Sequence, residues 1–190
     1  LVYDKDLDEN VPGIFMVPNW MGVTSSAIEK AKLIAGDDYV VFVADMYGVN
    51  IRPSNASEAG DAAGFVRADR ALMRQRAKLG LETFLQQEAP TETKHIAAIG
   101  FCFGGGTVLE LGRSGAEIDA IVSFHGDLMS PTLAEDAAAT QAHVLVLHGA
   151  ADPYVPQTDV QAFVDAMLKT DVDWQLIQYS GAVHSFTNPA

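Results

Sequence analysis

Cys102 is the only cysteine in the chain, and it stands in Gly100-Phe101-Cys102-Phe103-Gly104-Gly105-Gly106 directly after the apolar run Ile96 to Ile99. A strand that enters a helix through Gly-x-Cys-x-Gly-Gly must turn very tightly. The residue at the tip takes a strained backbone conformation, and its side chain is lifted clear of the sheet. Glycines at 100 and 104 avoid the Cβ clashes that such a turn creates. The turn also sets the sulfur near the start of the following helix, where backbone N–H groups and the helix dipole favour a thiolate over a thiol. Those N–H groups suit a tetrahedral oxyanion: one from Phe103, a second from the loop after the first strand, near Trp20. The chemistry predicted is nucleophilic acyl transfer. A lone cysteine can also be a small buried hydrophobe. A nucleotide phosphate loop needs Gly-Lys-Ser/Thr, and no lysine precedes Thr107. A dinucleotide fingerprint would need glycine where Cys102 stands.

A cysteine nucleophile needs a histidine, and the histidine needs a partner that fixes its tautomer. His95 and His143 open strands and read as structural or exposed. His125 and His148 each close a strand before a glycine, near the rim of a site or bonded to backbone. His184, in Ser180-Gly181-Ala182-Val183-His184-Ser185-Phe186, follows the last predicted strand and is the base favoured by chain order. Asp152, in His148-Gly149-Ala150-Ala151-Asp152-Pro153, is the favoured acid, with Asp127 in reserve. The order nucleophile, acid, histidine, each at a strand end, carries the assignment. His125, Asp127, His148, Asp152 and His184 show no close-spaced ligand pair, so no metal is expected.

These residues need a scaffold that delivers strand ends to one rim. Strands are predicted at Gly13 to Val17, Tyr39 to Ala44, Ile96 to Ile99, Ala120 to Phe124, Val144 to Leu147 and Trp174 to Ile177. Helices are predicted over Thr24 to Ala35, from Thr107 and over Thr158 to Leu168. A long loop is predicted from Asp45 to Gly60, then one long helix from Ala62 to Gln87 with Phe65, Leu72, Leu79 and Leu85 on its apolar side. The alternation implies a mostly parallel sheet with helices on both faces, whose functional residues lie beyond the carboxyl ends of the strands.

With 190 residues, 48% of them hydrophobic and 19% charged, the chain reads as one globular domain over residues 1–190. Its net charge of −13 and its 12 Lys and Arg disfavour nucleic acid as a partner. A single cysteine excludes an intrachain disulfide. No apolar run reaches the roughly 18 residues of a membrane-spanning helix, so no membrane partner is expected. The chain starts with Leu1 and ends soon after His184 without a covering helix, so truncation at both ends is expected, and a cytoplasmic location is expected with the N-terminus missing.

The chain resembles the dienelactone hydrolase (carboxymethylenebutenolidase) family. The resemblance spans Asp8 to Asn188 and is carried by six segments: Val11 to Val17, Trp20-Met21-Gly22, Ala44 to Gly48, the turn Gly100 to Gly105, His148 to Asp152, and Gly181 to Phe186. It implies an α/β-hydrolase fold, a triad of Cys102, Asp152 and His184, and hydrolysis of a lactone or activated ester through an acyl-thioester. It also implies that the Asn19-Trp20 loop lines the site, with the Trp20 N–H in the oxyanion hole. Two positions depart from the family pattern. Asn19 stands where members commonly carry a glutamate that helps generate the thiolate, and Asn188 stands where the prototype has an arginine that clamps a substrate carboxylate. A second clamp arginine would match one of Arg67, Arg70 or Arg74. The expected substrate pocket holds Asn19, Tyr47 and Phe186, with no cofactor, and the chain is expected to be a monomer or homodimer. The alternative is a non-catalytic relative that binds a small ligand in the same pocket.

Overall fold

The computed structural model describes residues 1–188; the expected cut at the end, Pro189-Ala190, lies outside the described residues. Six strands form one sheet: β1 (Val11–Val17), β2 (Val40–Val43), β3 (Thr91–Phe101), β4 (Ala120–Phe124), β5 (His143–Gly149) and β6 (Trp174–Tyr179). Their order is β2-β1-β3-β4-β5-β6, and every neighbouring pair is parallel. The chain first steps outward from β1 to β2, then returns past β1 to β3 and runs the other way. That reversal puts a switch point between β1 and β3, where the loops after the two strands diverge and leave a crevice.

Residues alternate across this sheet. Phe15 and Val17 enter one core and Ile14 and Met16 the other. On the smaller face lies α1 (Ser25–Ala35), which buries Ala27, Ala31 and Ala35. Thr24 caps it by accepting from the Ala27 N–H at 3.2 Å. The larger face carries α2 (Ala56–Ala68), α3 (Arg70–Leu85), α4 (Phe103–Arg113) and α6 (Gln157–Met167). A short α5 (Leu133–Asp136) with a 3₁₀ turn at Ala137–Ala139, unmarked by any periodicity in the sequence, joins β4 to β5. The chain leaves the switch point in opposite directions, and α1 packs on one face of the sheet while the other long helices pack on the other.

The single long helix predicted over Ala62 to Gln87 is two helices. Asp69 is extended (φ −119°, ψ 98°), ends α2 and caps α3 by accepting from the Leu72 N–H at 3.0 Å. The loop predicted to Gly60 also ends early. Asn55 caps α2 at the Glu58 N–H (3.0 Å), and the Glu58 carboxylate reaches back to the Ser54 N–H (2.8 Å), a reciprocal arrangement that starts a helix firmly. The apolar register is different as well. Phe65 and Leu79 are more than half exposed, and the buried register is Ala59, Ala63 and Val66, then Met73, Ala77, Leu81 and Phe84. Alanines let both helices sit close to the sheet, so the large residues are not the inward ones.

β3 is also longer than predicted, because Thr91 and Glu92 pair with Val11 and Pro12 beyond a register shift at Pro12/Gly13. No described helix is long and apolar enough to cross a membrane.

Candidate active site

Cys102 sits at the end of β3 as the N-cap residue of α4, with φ 56° and ψ −117°. Its geometry is forced by the glycines around it. A Cβ on Gly100 would lie 2.0 Å from the Gly104 carbonyl oxygen, and one on Gly104 would lie 2.1 Å from the Val17 carbonyl oxygen. Backbone blocks both positions, so any side chain there would open the turn. All eleven residues of α4 are buried, whereas Cys102 is partly exposed. The buried helix thus presents its first turn, with the sulfur, to the crevice at the switch point.

His184 lies in the loop after β6 and Asp152 in the loop after β5. His184 Nδ1 is 2.8 Å from Asp152 Oδ2, and the other carboxylate oxygen accepts from the Tyr154 N–H at 2.9 Å. The Asp152 side chain has no exposed surface and that of His184 keeps 17%. With Nδ1–H donating to the carboxylate, Nε2 is the nitrogen left free, and the Cys102 side chain is the neighbour that acts on the ring most strongly. Interaction with the Cys102 side chain is the main cause holding His184 up at about 9; burial opposes it and Asp152 reinforces it. Two rings fix the imidazole plane. His125 and Tyr154 pack edgewise on His184 at centroid distances of 5.0 and 5.1 Å. Asp152 and His184 are thus hydrogen-bonded beside the turn that carries Cys102, the three residues coming from three strand ends.

The Phe103 and Trp20 N–H groups have no hydrogen-bond partner among the described residues. They flank the switch point, one after β3 and one after β1. Tyr47 is buried and donates its hydroxyl to the Trp20 carbonyl at 2.7 Å, while its ring packs on Phe103 at 5.6 Å. It fixes both sides of the crevice and also borders a cavity of about 480 Å³ with Ile51, Pro53, Ala62 and Phe65. Burial pushes the Tyr47 hydroxyl well above its ordinary range, so it stays neutral. Phe186 packs edgewise on His125 at 5.3 Å. Asn19 holds the Met21 N–H with its Oδ1 at 3.0 Å, which spends that oxygen on its own turn. Asn19 and Asn188 line one small cleft of about 30 Å³ with Lys30 and Phe101.

The structure disposes of several other candidates. Asp127 is paired with Arg70 at 3.1 Å, not with a histidine, so it is no substitute for Asp152. Arg70 and Arg74 are drawn into ion pairs with Asp127 and with Glu110 and Asp136. Arg67 alone of the three arginines stays beside the turn, 5.8 Å from the Phe103 ring. His95 and His143 lie on the surface beside carboxylates. His148 is buried, with neither ring nitrogen hydrogen-bonded among the described residues. Among the described residues no three His, Cys, Asp or Glu side chains are grouped as metal ligands. Sequence reasoning missed Lys30, assigned to the polar side of α1, whose Nζ lies 4.1 Å over the Phe101 ring. It also missed the contacts of His125.

Comparison with known proteins shows what the chain is similar to. The model of the dienelactone hydrolase family matches residues 1–190. A dienelactone-hydrolase-like promiscuous phosphotriesterase from metagenomic libraries superposes with a TM-score of 0.91 at 38% identity, over 98% of this chain and 77% of that one. The structure named m3DLH gives 0.90 at 38% identity, over 99% and 78%. An uncharacterized protein of Caenorhabditis elegans is 35% identical over 103 residues, which cover 52% of this chain and 63% of that protein.

Proposed function

The chain belongs to the dienelactone hydrolase family, whose members are ester and lactone hydrolases, and we propose that it cleaves its substrate with Cys102 as nucleophile. The observation that supports this reading is the His184–Asp152 hydrogen bond, built from two strand ends and set beside the strained turn that holds Cys102 at the end of a third.

Asp152 orients His184, and His184 Nε2 takes the thiol proton. The Cys102 thiolate attacks the carbonyl carbon of a lactone or activated ester, forming a C–S bond. The carbonyl electron pair moves to oxygen, which the Phe103 and Trp20 N–H groups receive. As the intermediate collapses, the C–O bond to the leaving oxygen breaks, and His184 Nε2–H gives that oxygen its proton. In a lactone the leaving alcohol stays tethered to the acyl chain. His184 then removes a proton from water, which attacks the thioester. The second intermediate expels the thiolate and releases the carboxylic acid. Asn19, Tyr47 and Phe186 border the substrate, and the cavity beside Tyr47, where Ile51, Pro53 and Phe65 meet Arg52, Glu58, Asp61 and Arg76, suits the group away from the scissile bond.

Asn19 cannot take a proton from sulfur as a carboxylate would, so thiolate formation rests on His184 and the turn's N–H groups. That supports a second reading, a ligand-binding relative without turnover. Rapid alkylation of Cys102 by iodoacetamide well below the pH at which free thiols react would favour the enzyme, and inertness would favour the binder. The direct test is a panel of short-chain chromogenic esters, lactones and an aryl phosphotriester, run on the parent and on Cys102→Ala. The variant is expected to lose turnover by about 10⁴-fold or more. Hydrolysis retained in Cys102→Ala would end the nucleophile assignment.

A further inference from the structure

Among the described residues, three other than glycine have positive φ: Cys102 at 56°, His125 at 41° and Ser185 at 63°. Such backbone persists only where its surroundings over-determine it, and it gathers at functional sites. One side chain ties the three segments together. His125 Nδ1 lies 3.1 Å from the Cys102 backbone nitrogen, whose N–H also reaches the Phe124 carbonyl at 3.0 Å. An amide N–H only donates, so Nδ1 must be the bare, accepting nitrogen. The ring proton then sits on Nε2, which lies 2.8 Å from Thr187 Oγ1 and donates to it. Thr187 stands three residues beyond His184 on the same loop. A single ring therefore runs from the turn that holds the sulfur to the loop that holds the imidazole. Its edge also rests on the His184 ring.

The ring is built to stay neutral. Burial, then the neighbouring His184 and Lys30, push it down to about 4, against smaller pulls from its own backbone and from Asp152. A protonated Nδ1 would turn a donor toward the Cys102 N–H and break the contact. The mechanism above makes no use of His125, yet the residue is buried and both its nitrogens are engaged.

We propose that His125 is a positioning residue, a two-ended brace that holds the Cys102 turn in register with the His184 loop. It rests on the Cys102–His184 reading. Sulfur and imidazole stay aligned through both tetrahedral intermediates because neither segment can shift without stretching the ring's two hydrogen bonds. A brace of this kind acts on kcat, since its ends, the Cys102 backbone N–H and the Thr187 hydroxyl, are not among the groups proposed to bind the substrate.

The test uses Thr187→Val, His125→Phe, the double variant and His125→Asn. Thr187 lies on a partly exposed loop, so its variant removes the far bond without opening the core. Thr187→Val is expected to lower kcat by roughly 3–10-fold and His125→Phe by roughly 10–100-fold, with KM held within about twofold. The double variant should be no worse than His125→Phe, because both changes cut the same strap. His125→Asn, which offers an acceptor near Nδ1, should recover part of the loss. The rate of Cys102 alkylation by iodoacetamide should fall in step with kcat. Parental kcat and alkylation rate in Thr187→Val, or strictly multiplicative losses in the double variant, would overturn the brace. If His125→Phe fails to fold, Thr187→Val decides the matter. Hydrolysis surviving in Cys102→Ala would instead overturn the nucleophile reading, while alkylation of Cys102 would still report on the brace.

Discussion

The two ends of α4 hold charged clusters that look alike on paper and differ in kind. At the far end, Glu110 bonds Arg113 at 2.9 Å and Arg74 at 2.8 Å, and Arg74 reaches Asp136. Arg113 also donates to the Leu128 carbonyl at 2.8 Å. At the near end, His184 bonds Asp152 at 2.8 Å and is raised chiefly by the Cys102 side chain beside it. Both clusters link distant segments, and both contain shifted groups. Burial lowers Arg113, while the sulfur contact raises His184. The difference lies in what is left open. Glu110 and Arg113 side chains are 0% and 3% exposed, and their charges are spent on each other. The near end keeps a partly exposed cysteine, a strained turn and, among the described residues, two unclaimed N–H groups. A shifted group alone does not mark a reactive site; unspent capacity beside it does.

Opposite phenotypes should separate the ends. Cys102→Ala, expected to abolish turnover, should change the free energy of unfolding by no more than about 1 kcal/mol once pH has passed about 9, where His184 is neutral and no longer gains from the sulfur. Glu110→Ala should do the reverse. It strands the Arg113 charge in the core, and breaking a buried pair this way costs about 3–5 kcal/mol. Its kcat per folded molecule should stay at the parental level. Urea unfolding and active-site titration check both. A Glu110→Ala protein of normal stability, or one fully folded but inactive, would erase the contrast.

A smaller effect tests the near end through pH. The folded pKa of His184 is raised from 6.5 to about 9. The stability this contributes is full below about pH 6.5, shrinks above it, and is gone once pH has passed through about 9. Unfolding measured at pH 6, 7.5 and 9 should therefore show the parent losing stability relative to His184→Gln across that window. Because the Cys102 contact is the largest cause, the slope should flatten in Cys102→Ala. Equal slopes in parent and His184→Gln would show that the imidazole gains nothing from its partners.

The near end was far more legible in the sequence than the far end. Gly100, Cys102 and Gly104 lie within five residues, and the steric demand linking them is local, so the turn could be read without coordinates. The order of Cys102, Asp152 and His184 gained meaning from the strand that precedes each. Glu110 meets Arg74 across 36 residues and Arg74 meets Asp136 across 62, with no pattern announcing either pair. The His125 ring was equally opaque, because its partners are a backbone N–H 23 residues earlier and a hydroxyl 62 residues later. Local sterics can be read from spacing. Long-range hydrogen bonds depend on packing, and spacing does not carry it.

Asp69 shows the same limit at small scale and supplies the mildest break of the contrast. Within a run of helix-forming residues it reads as one more polar position, which is why a single helix was predicted. Its side chain instead satisfies the Leu72 N–H and starts a new helix whose first turns carry Arg70 and Arg74. Those arginines then meet Asp127 and Glu110, so the far cluster depends on where α3 begins. Asp69→Ala should remove the cap and cost about 1 kcal/mol, the ordinary value for such a residue. The loss stays small because the ion pairs downstream still anchor α3 against α4. In the Glu110→Ala background part of that anchorage is gone, so the same change should cost more than it does in the parent. A double-mutant cycle measures the coupling. Strict additivity would mean that the break at Asp69 and the buried ion pairs stabilise the fold independently, and the far end would then be two structures rather than one.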